Sequence, residues 1–112
     1  MRHAYAHDAV LALAPDADLA APGGAITTEL CGHWEHPPPC PVAPHHTAAR
    51  RVGPAVHLRI LFATEAEREA EVRTRITQAL VAGGDLLSST DGSVRPEEQA
   101  RAERLAVLPP RR

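Results

Sequence analysis

The sequence predicts a small α+β domain in which an antiparallel sheet of two to three strands is covered by two helices. Two segments, 25–34 and 56–63, alternate side chains as strands do. A third segment, after residue 64, repeats its apolar residues at helical spacing. With 112 residues, the chain is long enough for one such domain around a single core.

The first predicted strand covers residues 25–34. Ile26 and Leu30 fall on one face of this strand, and Cys31 and His33 fall on the other. The second strand is clearer, because its apolar face is rich in β-branched and aromatic residues: Val56, Leu58, Ile60 and Phe62. A long loop joins the two strands, since its prolines exclude both helix and inner strand: Pro37, Pro38, Pro39, Pro41, Pro44 and Pro54.

The first predicted helix opens at Thr64, which forms a capping box with Glu67. Its apolar face repeats at helical spacing through Val72, Ile76, Ala79 and Leu80, and Gly83 with Gly84 supplies the stop. Two charged pairs are expected on its solvent side, Glu69 with Arg73 and Glu71 with Arg75. A brief third strand over residues 85–88 and a second helix from Pro96 to about Val107 complete the domain.

The ends of the chain lack such patterns. Residues 1–24 are rich in Ala, Asp and Pro and predict a loosely ordered arm, followed by the single domain over 25–108 and a tail over 109–112. A short helix in the arm would place His3 and His7 on one face as a possible pair of metal ligands. The alternative is a flexible arm with incidental histidines.

The segment from Cys31 to His46 carries the clearest functional signal. It collects two cysteines and four histidines within sixteen residues: Cys31, His33, His36, Cys40, His45 and His46. Thiolate sulfur and imidazole nitrogen are the usual ligands of structural zinc, which takes four of them in a tetrahedron. We therefore predict a zinc site formed by Cys31, His33, Cys40 and one of His45 or His46, with His36 as a substitute.

Other interpretations of this segment remain open. A disulfide between Cys31 and Cys40 would leave the histidines unexplained, and the histidines could simply occupy a polar loop. His57 is a further candidate if the two predicted strands pair as a hairpin, although a lone strand histidine is more often just exposed. Mixed sulfur and nitrogen ligands would also suit Cu or Ni, whereas Mg and Ca prefer oxygen.

Three functions follow from such a site. The first is a non-catalytic protein in which the metal organises the Cys/His loop for binding a protein partner, or for self-association. The second is a metal carrier or sensor that uses the surplus histidines. The third is a small metalloenzyme with an open coordination position, which is less favoured because no HExxH motif or paired carboxylates can be found.

Composition excludes several partners. The formal net charge is -2, and all twelve basic residues are arginines interleaved with acidic residues, so we expect no nucleic-acid partner. The short apolar run over residues 9–14 is too brief for a signal peptide or a membrane span, so we expect no membrane partner and a cytoplasmic protein. Cysteines in that compartment are reduced, which favours metal ligation over a disulfide.

Overall fold

Four antiparallel strands form one sheet in the described part of the chain, with the strand order β2-β3-β1-β4. The computed structural model describes residues 2–31, 43–83 and 85–107. The strands are β1 (Arg2–Ala12), β2 (His45–Val52), β3 (Ala55–Glu65) and β4 (Asp85–Gly92). β1 and β3 are therefore the central strands, and β2 and β4 are the two edges.

Three helices accompany the sheet in the same described ranges: α1 (Ala21–Cys31), α2 (Glu69–Gly83) and α3 (Gln99–Ala106). A short 3-10 turn precedes each of the last two, at Ala66–Arg68 and Pro96–Glu98. The order from β1 to β4 is β-α-β-β-α-β, the split βαβ arrangement, with α3 added at the end. This topology hosts many unrelated functions, so it identifies none here.

The main core lies between one face of the sheet and the helices α1 and α2. Its buried side chains come from both layers and include Ile26, Leu30, Val56, Leu58, Ile60, Phe62, Val72, Ile76 and Leu80. The other sheet face carries α3, whose Ala102 is buried. The expected class, an α+β domain with an antiparallel sheet, is confirmed, with four strands and three helices rather than two to three strands and two helices.

The N-terminal segment differs from the loosely ordered arm that we predicted. Residues 2–12 form β1, which pairs with β3 on one side and β4 on the other. Its side chains alternate between faces, with Ala9 and Leu11 in the main core. The polar His7 lies on the face that packs against the helices, and alanines occupy much of the other face, so apolar and polar residues do not alternate clearly in the sequence.

The first predicted strand is wrong, because residues 21–31 form the helix α1. Ile26 and Leu30 are both fully buried, and their separation of four residues fits a helix as well as a strand. Pro22 lies in the first turn, where a missing backbone N–H costs nothing. The Asp18 carboxylate accepts a hydrogen bond from the Ala20 N–H, 2.9 Å away, just before the helix begins.

Part of the predicted proline-rich loop is strand β2, which pairs with β3. Pro44 and Pro54 flank this strand and do not interrupt it, and β2 lies at an edge of the sheet, where proline is tolerated. A two-residue turn, Gly53-Pro54, closes the hairpin, and Gly53 has φ 61, which suits a glycine. Residues 32–42, the remainder of the predicted loop, lie outside the described residues.

The later elements agree better with the sequence. The second predicted strand, the third strand and both predicted helices are confirmed as β3, β4, α2 and α3. The capping box is wrong, because β3 continues to Glu65 and the Thr64 hydroxyl is buried without a hydrogen-bond partner. Both predicted pairs form, at 2.7 Å for Arg73–Glu69 and 3.3 Å for Arg75–Glu71, but Arg73 is buried rather than on the solvent side.

Candidate functional site

Three of the six predicted ligands lie at the two ends of the connection between α1 and β2. Cys31 is the last residue of α1, and His45 and His46 are the first two residues of β2. Three further candidates, His33, His36 and Cys40, lie outside the described residues. The premise that Cys31 and His33 share a strand face is wrong, because α1 extends to Cys31.

Two described residues, Ala43 and Thr27, contact the ring nitrogens of His45. Its Nδ1 lies 3.1 Å from the Ala43 carbonyl oxygen, and its Nε2 lies 3.0 Å from the Thr27 hydroxyl oxygen. Because a carbonyl oxygen only accepts, Nδ1 carries a proton, and in the neutral ring Nε2 holds the lone pair. A backbone carbonyl that accepts from one ring nitrogen is a common way to orient a histidine that binds a metal through the other.

The contact with Thr27 places Nε2 of His45 against α1. Position 31 lies one turn beyond position 27 on that helix, a rise of about 6 Å for four residues. The His45 ring therefore contacts the last turns of α1, one turn before the residue at which the Cys/His segment begins.

His46 points away from this neighbourhood. Adjacent strand residues project to opposite faces of a sheet, and the His46 ring lies on the α3 side, with Nδ1 3.4 Å from Nη1 of Arg101. Burial and, secondarily, the Arg101 charge lower the pKa of His46. His45 and His46 therefore cannot bind the same ion from these positions, and His45 is the one beside α1.

Two other histidine candidates are also separated from that place. His57 is exposed and lies opposite Arg50 of β2 and Val10 of β1, on the α3 side of the sheet. His3 and His7 are four residues apart on a strand, a distance of about 13 Å, so they cannot share an ion as they could on a helix. Within residues 2–31, 43–83 and 85–107, no three or more His, Cys, Asp or Glu side chains are grouped to hold a metal.

His7 is the centre of a buried polar cluster that the sequence did not predict. His7 is 2% exposed, and its Nε2 lies 2.7 Å from the Ser89 hydroxyl, which in turn lies 2.8 Å from the Thr77 hydroxyl. Its Nδ1 lies 3.0 Å from Nη1 of Arg73, which also donates to the Ala6 carbonyl at 2.7 Å. Tyr5, His7, Ala9 and Leu11 are alternate residues of β1, and the polar His7 interrupts this otherwise apolar series, so the sequence does not show that His7 is buried.

The protonation of this cluster argues against a serine nucleophile. A guanidinium only donates, so Nδ1 of His7 accepts from Arg73 and Nε2 carries the proton toward Ser89. A nucleophilic serine needs the opposite arrangement, in which the facing nitrogen can take its proton. Burial and then the Arg73 charge lower the pKa of His7 against the opposing effect of Asp91 and Asp8, which keeps the ring neutral.

A second polar cluster, on the α3 side of the sheet, is centred on Arg59. Its guanidinium donates to both Asp8 carboxylate oxygens, at 2.9 and 3.0 Å, to both Glu98 oxygens, at 2.8 and 3.0 Å, and to the Ser93 carbonyl. A Cβ at Gly92 would clash with the Asp8 carboxylate and lie 2.7 Å from Arg59 Nη1, so a larger residue there would displace these side chains. The cluster attaches the start of the α3 region to the sheet.

Comparisons with protein-family models, with curated proteins and with solved structures each return no match. Across the described ranges, no helix is both long and apolar enough to cross a membrane. Function must therefore be argued from the residues themselves, and the cytoplasmic location and the absence of a nucleic-acid partner stay predictions.

Proposed function

We propose that this chain binds one zinc ion through the segment Cys31–His46, and that the ion organises the connection between α1 and β2 as a surface for a protein partner. The proposed ligands are Cys31, Cys40, His45 and one of His33 or His36. His46 is left out because its ring lies on the other face of the sheet, beside Arg101.

The orientation of His45 is the observation that carries this proposal. Its Nδ1 is engaged by the Ala43 carbonyl, and its Nε2 reaches the turn of α1 that precedes Cys31. A metal at Nε2 would compete with the Thr27 hydroxyl for the lone pair. That hydroxyl also lies 3.1 Å from the Gly23 carbonyl oxygen, so it would keep a hydrogen-bond acceptor and no polar group would be left unsatisfied.

The choice of zinc rests on the chemistry of the donors. Two thiolates with two imidazoles match structural zinc, and such a set leaves no coordination position for a substrate. The partner surface is inferred from the position of β2 at the sheet edge, since an edge strand has unpaired backbone groups that another chain can use. Copper and nickel accept similar ligands, so the metal must be measured.

Adjacent histidines offer a matched test. We would express the full chain without a histidine tag, purify it without chelators and measure metal by mass spectrometry in the wild type, His45→Ala and His46→Ala. We expect about one zinc per wild-type chain and per H46A chain, and a large loss in H45A. The Cys31→Ser variant should lose metal as H45A does.

Three results would contradict the proposal in whole or in part. Wild-type protein that contains no metal, and takes up none when zinc is added, would exclude a zinc site altogether. Equal metal loss in H45A and H46A would contradict the assignment of His45, and not His46, as a metal ligand. If nickel or copper replaces zinc at the same stoichiometry, the identity of the metal in the proposal is wrong.

A further inference from the structure

The sheet face that carries α3 is only partly covered. The row of residues beside α3 comprises Ala6, Leu61 and His46, which are partners in the strand register, and Arg101 of α3 reaches this row at His46. Two further rows continue toward the Gly53-Pro54 turn. Over them is a depression of about 390 Å³, a volume within the range of small-ligand sites.

The strand register explains both the floor and the rim of this depression. One row joins Asp8, Arg59 and Ala48, and the next joins Val10, His57 and Arg50. Ala48 and Val10 are short and form part of the floor, while longer basic side chains form the rim. We call this depression the basic pocket, and its basic residues are Arg50, His57, Arg59 and Arg95.

The charges of the basic pocket do not cancel. Arg59 is paired with two carboxylates, Asp8 and Glu98, so this cluster holds one positive and two negative charges. Arg50 and Arg95 are exposed, and neither forms an ion pair with another residue in the described part of the chain. Two guanidinium groups therefore line one concave surface, and of the two only Arg95 has a nearby carboxylate, that of Glu98, whose pKa its charge helps to lower.

Two basic residues face each other across the strands at the rim of the basic pocket. Arg50 lies directly opposite His57, so an anion bound by Arg50 would also lie beside the His57 ring. The planar fork of arginine is matched to the oxygens of phosphate, and the rigid Arg59 cluster keeps the wall of the pocket in place.

We propose that the basic pocket is a binding site for a small ligand with a phosphate group, held by Arg50 and Arg95 with His57 beside them. This site is separate from the proposed zinc site, because the basic pocket lies on the α3 side of the sheet and His45 lies on the α1 side. The two proposals therefore stand or fall independently.

The test uses the full chain and calorimetric titration with inorganic phosphate, phenyl phosphate and acetate at pH 7.5 and constant ionic strength. We expect saturable binding of both phosphates and much weaker binding of acetate. Arg50→Gln and Arg95→Gln should each weaken phosphate binding by about tenfold or more, since each removes a charge-assisted contact. Arg104→Gln changes an exposed arginine of α3 outside the pocket and is the matched control.

Several outcomes would overturn the proposal. These are the absence of saturable phosphate binding, equal binding of acetate and phosphate, or an R104Q effect as large as those of R50Q and R95Q. Circular dichroism of each variant should match the wild type, because all three arginines are exposed. His45→Ala should bind phosphate as the wild type does, which separates this site from the metal site.

Discussion

His7 shows how single contacts determine the chemistry of a buried side chain. Its ring sits between a permanent donor, Arg73, and a hydroxyl, Ser89, so only one neutral tautomer satisfies both nitrogens. Arg73 itself is held by Glu69 at 2.7 Å and lies over the Tyr5 and Phe62 rings, at 5.8 and 5.2 Å from their centroids. A charged group inside this small domain is thus fully partnered, as burial requires.

This cluster predicts a pH-dependent stability. Burial and Arg73 lower the pKa of His7 from 6.5 in the folded state, so below that pH the unfolded chain binds the proton more readily. The free energy of unfolding should therefore be constant above about pH 7 and fall as pH decreases below 6.5. Urea denaturation at pH 8 and pH 5.5 measures the difference.

The variant His7→Gln tests the assignment. It should be destabilised by roughly 1–3 kcal/mol at pH 8, because it disturbs a buried hydrogen-bond network, but it should lose part of the pH dependence. The pKa of His46 is also lowered, by burial and by Arg101. His46→Gln should therefore remove another part of the stability that is lost as pH falls. A wild-type pH dependence in H7Q would refute the role assigned to His7.

Among the elements, α3 depends most on a single attachment. It has eight residues, too few for a helix to be stable alone, and Ala102 is its buried residue. The Glu98 carboxylate, immediately before it, accepts from Arg59 on β3 and from the Arg95 backbone N–H at 2.9 Å. The Arg59 hydrogen bond, followed by that of the Arg95 backbone, lowers the pKa of Glu98 to about 2.

We expect Glu98→Gln to loosen α3 without unfolding the sheet. Amide hydrogen exchange should accelerate across Gln99–Ala106 and stay slow in β3, with a destabilisation of about 1 kcal/mol because the pair is partly exposed. Glu97→Gln, at an exposed position in the same turn, is the control. In the wild type, this stabilisation should be present above pH 4.5 and be lost as pH falls toward 2.

The exchange pattern distinguishes a local from a global effect. If E98Q and E97Q exchange alike, the Arg59–Glu98 pair does not hold α3 in place. If β3 exchanges faster together with α3, the attachment stabilises the whole domain and α3 is not a separate unit.

At the scale of the molecule, the described residues form a four-stranded sheet and a hydrophobic core. The central strands β1 and β3 bury their apolar faces against α1 and α2. A metal bound at Cys31 and His45 would therefore connect α1 to the edge strand β2, and it would add stability to a fold that other contacts already define.

This predicts partial destabilisation on metal removal. Adding a strong chelator to the zinc-loaded protein should lower the thermal unfolding midpoint while far-ultraviolet circular dichroism at 25 °C stays near that of the loaded protein. At a free zinc concentration a thousand times Kd, binding contributes about 4 kcal/mol. His45→Ala should show no shift with the chelator.

Complete loss of the circular dichroism signal on chelation would show that the metal holds the sheet as well as the connection. An unchanged unfolding midpoint would mean that the folded chain gains no stability from metal, against the proposed function.

The sequence alone was sufficient where one period dominated a segment. The helix α2, the strand β3 and the helix α3 were predicted correctly. The spacing of their apolar residues and the Pro or Gly residues at their ends fit only one type of secondary structure. The density of Cys and His ligands between Cys31 and His46 was likewise visible without a structure. These signals are local, so neighbouring elements were not needed to interpret them.

Tertiary structure decided the remainder. Ile26 and Leu30 fit two periods, and packing against α2 selected the helix. β1 lacked a visible period because alanines occupy both of its faces, and β2 became a strand by pairing with β3. The same pairing put His45 beside α1 and His46 beside α3, a choice that the sequence left open because adjacent strand residues differ only in the face to which they project.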